Sequence, residues 1–101
     1  MAKEDPILID KTELILMAPQ GGGTETINVA YDKIIRIEFR KCEESKLFKK
    51  FPSEQIVFTI RGREDPVIFF RGKVGEDLFD GYKSAIQKFA KDNRVSFARN
   101  L

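Results

Sequence analysis

The segment Lys46-Leu47-Phe48-Lys49-Lys50-Phe51-Pro52 sets three ammonium groups among three large apolar side chains. That composition suits recognition rather than bond making. Cations attract an anionic membrane, each adding about 1 kcal/mol near the surface. Exposed rings stack on single-stranded bases or anchor in a protein recess. Arg61 and Arg63 supply further cations a short way along the chain. The candidate binding surface is therefore Lys46, Phe48, Lys49, Lys50, Phe51, Arg61 and Arg63. The plain alternative, and the default expectation, folds Leu47, Phe48 and Phe51 back over the end of the core and leaves the Lys in water. A small domain seldom exposes two Phe, so the accessibility of Phe48 and Phe51 decides between the two.

Other chemistries are closed off by composition. The chain has no His and one Cys, which excludes Ser-His-Asp and Cys-His catalysis and zinc sites built from Cys and His. Cys42 ends an alternating segment, where a buried or half-buried inert thiol is expected. Gly21-Gly22-Gly23-Thr24 lacks the Lys and the following helix of a phosphate loop and is expected to be a hairpin loop. Glu76, Asp77 and Asp80 fall within one helical turn and suit the dipole of a helix N-terminus; Glu43 and Glu44 suit a solvated loop. No enzyme, cofactor, metal or small-molecule substrate is expected.

The chain has 101 residues, the size of a single domain spanning 1–101. Leu, Ile, Val and Phe total 31, enough for a core without disulfide or metal staples. The longest apolar run, residues 14–18, is five residues, too short for a transmembrane helix or signal peptide, so a cytoplasmic protein is expected. The 18 basic and 16 acidic groups nearly cancel, but unevenly: residues 1–35 carry a local −3, residues 36–50 a local +3 and residues 61–73 a local +2. If the later strands are neighbours, Arg36, Arg40, Lys41, Lys46, Lys49 and Lys50 could share a basic face with Arg61, Arg63, Arg71 and Lys73. A solvated surface of mixed charge is the default.

Periodicity supplies the elements that must position these groups. In 34–42, Ile35, Ile37 and Phe39 alternate with Arg36, Glu38 and Arg40, the period of a strand with one wet face. Residues 7–9, 13–17, 25–30, 55–61 and 66–71 also read as strands, with 95–98 as a short tail strand. Loops too short for crossover helices make neighbouring strands antiparallel. From Glu76, the apolar positions Leu78, Phe79, Tyr82, Ala85, Ile86, Phe89 and Ala90 form one helical stripe. Asp92-Asn93 is its expected stop, and close packing on the sheet would explain Gly81.

The strand succession, the segment Tyr31-Asp32-Lys33-Ile34-Ile35-Arg36-Ile37 with its Ile34/Ile37 pair, and the closing helix together resemble bacterial pleckstrin-homology-like domains, a group similar to GRAM modules. The resemblance spans residues 7–93. It implies an α+β fold: an antiparallel, partly open β-barrel of about six strands, capped by one C-terminal amphipathic helix. It also implies a non-catalytic binding or assembly role. This chain has no Trp, so Phe79, Tyr82 or Phe89 would fill the space of the Trp usual in that helix. The turn at 10–13 is acidic, so no phosphoinositide site is implied. The expected partner is a protein or a second copy, reached through strand edges or the tail. The alternative is an anionic membrane, ahead of single-stranded nucleic acid, met by 46–52.

Overall fold

The computed structural model describes residues 6–20 and 23–100. β1 (Ile7–Ile9), β2 (Glu13–Gln20) and β3 (Gly23–Ala30) form an antiparallel three-stranded sheet, with Leu8 opposite Ile15 and Leu16 opposite Ile27. Alternation turns Ile7, Leu14, Leu16 and Val29 into the core. β2 and β3 run closer to each other than expected, so Gly23 and Thr24 belong to a strand; the loop expectation at Gly21 and Gly22 lies outside the described residues.

A 3-10 turn (Tyr31–Lys33) leads into β4 (Ile34–Lys46), which pairs antiparallel with β5 (Lys49–Ile60). β6 (Val67–Phe70) joins the far side of β5, after a loop in which Gly62 holds φ +86°. A four-residue α1 (Arg71–Val74) follows, then Gly75 at φ +106°, a backbone that side-chain-bearing residues rarely adopt, and then α2 (Glu76–Asn93). β7 (Phe97–Asn100) completes the second sheet in the order β6-β5-β4-β7.

Phe79, Tyr82, Ile86, Phe89 and Ala90 of α2 are buried with Ile37, Phe39, Ile56, Phe58, Val67 and Phe69 of the four-stranded sheet and with the inward residues of the other. Phe79, Tyr82 and Phe89 thus all lie in the core. Within it, Phe58 and Phe69 meet edge to face at 5.9 Å, and so do Phe39 and Phe97 at 4.9 Å, the favoured arrangement of aromatic pairs. Among the described residues, no helix is long and apolar enough to cross a membrane.

Several expectations need correcting. The described residues form seven strands in two sheets, the expected six and a tail strand that lies at 97–100 rather than 95–98, and among them no closed barrel is found. β7 pairs parallel to β4, Ile37 opposite Phe97 and Arg40 opposite Asn100. This is possible because the chain between them returns through β5, β6 and α2, a connection long enough to reverse direction. A register shift between Ile34 and Arg36 flips the start of β4, so Ile34 is buried and Ile35 is half exposed, not inward. The helix ends at Asn93, within its expected stop, but the left-handed residue is Arg94 at φ 56°, whose N–H closes on the Ala90 and Lys91 carbonyls. Asn93 instead donates its side-chain amide to the Phe89 and Lys11 carbonyls. Gly81 faces open space, so close packing does not account for it.

Candidate functional site

Residues 43–54, expected to be a long connection between strands, are the outer half of one hairpin. The register runs from Ile34 opposite Ile60 to Lys46 opposite Lys49, leaving Leu47 and Phe48 as a two-residue turn. Both are left-handed, at φ 50° and 67°. Positive φ at both central residues matches the twist of paired strands, but Asn-Gly is the usual choice. For other L-residues this backbone costs roughly 1–2 kcal/mol each. The turn escapes sequence reading because Leu-Phe carries no turn signal and neither 41–46 nor 49–54 alternates apolar with polar residues.

The apex is bare. Leu47 is 82% exposed and Phe48 is fully exposed. From 43 to 52 every residue except Glu44 is exposed, Phe51 included. The default expectation that Leu47, Phe48 and Phe51 fold back over the core is therefore overturned. The hairpin carries Leu47 and Phe48 past the last core pair, where among the described residues no element covers them, while Phe51 nearer the root is 36% exposed. Strand alternation puts Lys46, Lys49 and Phe51 on one face of the ribbon and Lys50 on the other. Lys46 and Lys49 stand directly opposite each other, an unfavourable like-charge pair. Among the described residues, no carboxylate lies within 4.0 Å of Lys46, Lys49 or Lys50.

The root of the ribbon is braced. The Glu44 carboxylate accepts the Ser53 hydroxyl and, at 2.8 Å, the N–H of Gly72 in α1. A Cβ on Gly72 would come within 2.7 Å of that carboxylate. One residue along, Arg71 binds Asp80 of α2 through two bonds of 2.8 and 3.1 Å and Glu54 of β5 at 3.1 Å. Lys83 reaches the same Glu54 oxygen at 2.8 Å. The Arg71 guanidinium, hydrogen-bonded to Asp80, holds that carboxyl below its usual range. Asp80 therefore has a partner beyond the helix dipole. Burial, and then the Glu44 charge, raise the Cys42 thiol above its ordinary value, so half-buried Cys42 stays protonated at neutral pH.

The expected surface divides in two. Lys46, Phe48, Lys49, Lys50 and Phe51 gather at the tip. Arg61 and Arg63 lie past the other end of β5, on the order of 35 Å away at the rise of an extended strand. Arg63 is also engaged there with Glu25 through contacts of 3.2 and 3.3 Å. Nor do the remaining arginines form an open basic face. Arg40 binds buried Glu38 at 2.9 Å, with Arg36 at 4.0 Å, and Asn100 of β7 donates to the other Glu38 oxygen at 2.6 Å. Arg71 is consumed by the brace.

Elsewhere, a groove of about 610 Å³ runs between the β1–β2 turn and α2. Its polar groups are engaged with one another: Asp10 accepts the Lys11 N–H, Asn93 donates to the Lys11 carbonyl, and Lys88 pairs with Asp92 at 2.7 Å. Among the described residues, no cluster of three or more Asp, Glu, Cys or His could hold a metal ion. No family model, curated protein or solved structure is significantly similar to the chain.

Proposed function

We propose that this protein is a non-catalytic binding module that makes its contact through the β4–β5 hairpin tip. One observation carries the reading: Leu47 and Phe48 are held at an exposed apex in a backbone conformation that penalises both. Asn-Gly would make the same turn with less strain and without two apolar side chains in water. Strain of this kind, kept where packing does not demand it, points to function.

The test is a photo-crosslinking amino acid at position 48, with Ser84 on the exposed side of α2 as control. A contact element crosslinks at 48 and not at 84, and the product disappears when Leu47→Asn is added. Absence of any product at 48 in cells would defeat the reading.

We place the protein in the cytoplasm, the compartment that a single unpaired Cys suits. The two sheets are read as halves of a partly open, pleckstrin-homology-like barrel, supported by the antiparallel order of β1 to β6 and the apolar face of α2 laid against both. Contacts across the gap between the sheets, sought by NMR, test that geometry.

Self-association is the second reading, favoured by the edge of β4 from 41 to 46, which β7 leaves uncovered. Across a two-residue turn, Lys46 and Lys49 are the hydrogen-bonded pair, so Ser45 directs its N–H outward. Ser45→Pro should then abolish any dimer seen by sedimentation while sparing the hairpin. A monomer at every concentration would remove this reading.

A further inference from the structure

We propose that the surface met by the tip is an anionic lipid bilayer: Leu47 and Phe48 enter the hydrocarbon boundary while Lys46, Lys49 and Lys50 sit among the phosphates. This rests on the reading of the tip as the contact element.

The order of groups along the ribbon carries the inference. At the apex stand two large apolar side chains, both open to solvent. One residue back on each strand come Lys46 and Lys49, then Lys50 on the opposite face, with no carboxylate anywhere from 45 to 52. Glu43 opposite Pro52 and Glu44 opposite Phe51 form the next layer. Glu44 is turned inward onto Ser53 and Gly72, which leaves Glu43 as the open acid that limits depth. Hydrocarbon, then phosphate, then water is the layering that this sequence of apolar, cationic and acidic groups matches.

Other partners match less well. A stable protein interface needs about 800 Å² from each side, more than a convex two-residue apex offers. Stacking on a single strand needs rings set along a groove beside the cations. Here Phe48 crowns the turn and Phe51 lies on a strand face three positions later. Small apolar area and three cations together imply reversible docking, as for a single lipid chain aided by basic residues.

The chain has no Trp, so Phe48→Trp provides a single fluorescent reporter at an exposed position where folding is not at stake. The full chain is mixed with phosphatidylcholine vesicles with and without phosphatidylglycerol, at low and high salt. The expected result is a blue shift on the anionic vesicles only, quenched by lipids brominated near the top of the acyl chain and weakened by salt. Replacing one Lys of the three by Gln should weaken binding about fivefold, and Leu47→Asn at least tenfold. A water-like emission maximum on anionic vesicles at low salt would overturn the proposal. So would equal binding to neutral vesicles, or binding to oligo-dT with none to lipid. A position-48 crosslink to a protein, together with silent vesicles, would refute the bilayer and leave the tip standing as the contact element. Silence in both assays would remove the two together.

Discussion

Leu47 and Phe48 occupy a backbone basin that costs each of them roughly 1–2 kcal/mol, and they bury nothing in return. Replacing both at once, Leu47→Asn with Phe48→Gly, relieves that strain. The gain is partly offset by the entropy of the new Gly in the unfolded chain, about 0.5–1 kcal/mol. We predict a net stabilisation near 1 kcal/mol, a rise of roughly 5 °C in Tm, measured by thermal melting alongside loss of binding. Gly81 is the complementary case. It sits exposed within α2 with open space where a Cβ would be, so Gly81→Ala should stabilise by about 0.5–1 kcal/mol in denaturant titration. These two positions also mark how far sequence reading reaches. The basic-aromatic composition of 46–52 was legible, whereas its exposure was not, because local pattern does not say whether a hairpin ends at the core or overshoots it.

At the scale of elements, the tip is useful only if the ribbon is held at a set angle, and Glu44 and Gly72 do this from opposite sides of one contact. Gly72→Ala places a methyl within 2.7 Å of the carboxylate and should release the bond. We expect a cost of about 1–2 kcal/mol in denaturant titration, with faster amide exchange confined to 43–54. An unchanged exchange pattern would mean that the brace is idle. The helix over 76–93 and the antiparallel hairpins were readable from periods of 3.6 and 2. The brace was not, since Gly72, Glu44 and Ser53 are separated in sequence and none belongs to a motif. Ile35 shows the same limit in a strand: a one-residue shift after Ile34 reverses which face is wet, and no residue type announces it.

At the scale of the whole molecule, the Glu38 cluster joins the last described strand to the centre of the sheet. Arg40, donating directly, and Asn100 hold the Glu38 carboxyl below its ordinary value near 4.5, against the opposing effect of burial. A carboxylate whose folded pKa is depressed contributes stability above the unfolded pKa and loses it as pH falls through the folded one. Acidification below about pH 4.5 should therefore loosen β7, leaving Arg36 and Arg40 unbalanced. Amide exchange at Phe97 and Ala98 reads this out, and Glu38→Gln should flatten the pH dependence. No local signal forecasts the parallel pairing, because its partners lie about sixty residues apart and each looks like an ordinary edge.

That pairing has a consequence for synthesis. β4 is translated well before the neighbour that covers its flank at 37–40, Phe97–Asn100. A nascent chain arrested anywhere before that segment emerges has a long ribbon whose inner flank is open to pair with whatever lies alongside. Ribosome-bound intermediates that lack this segment should therefore be the species most dependent on chaperones, and the emergence of β7 should end that dependence.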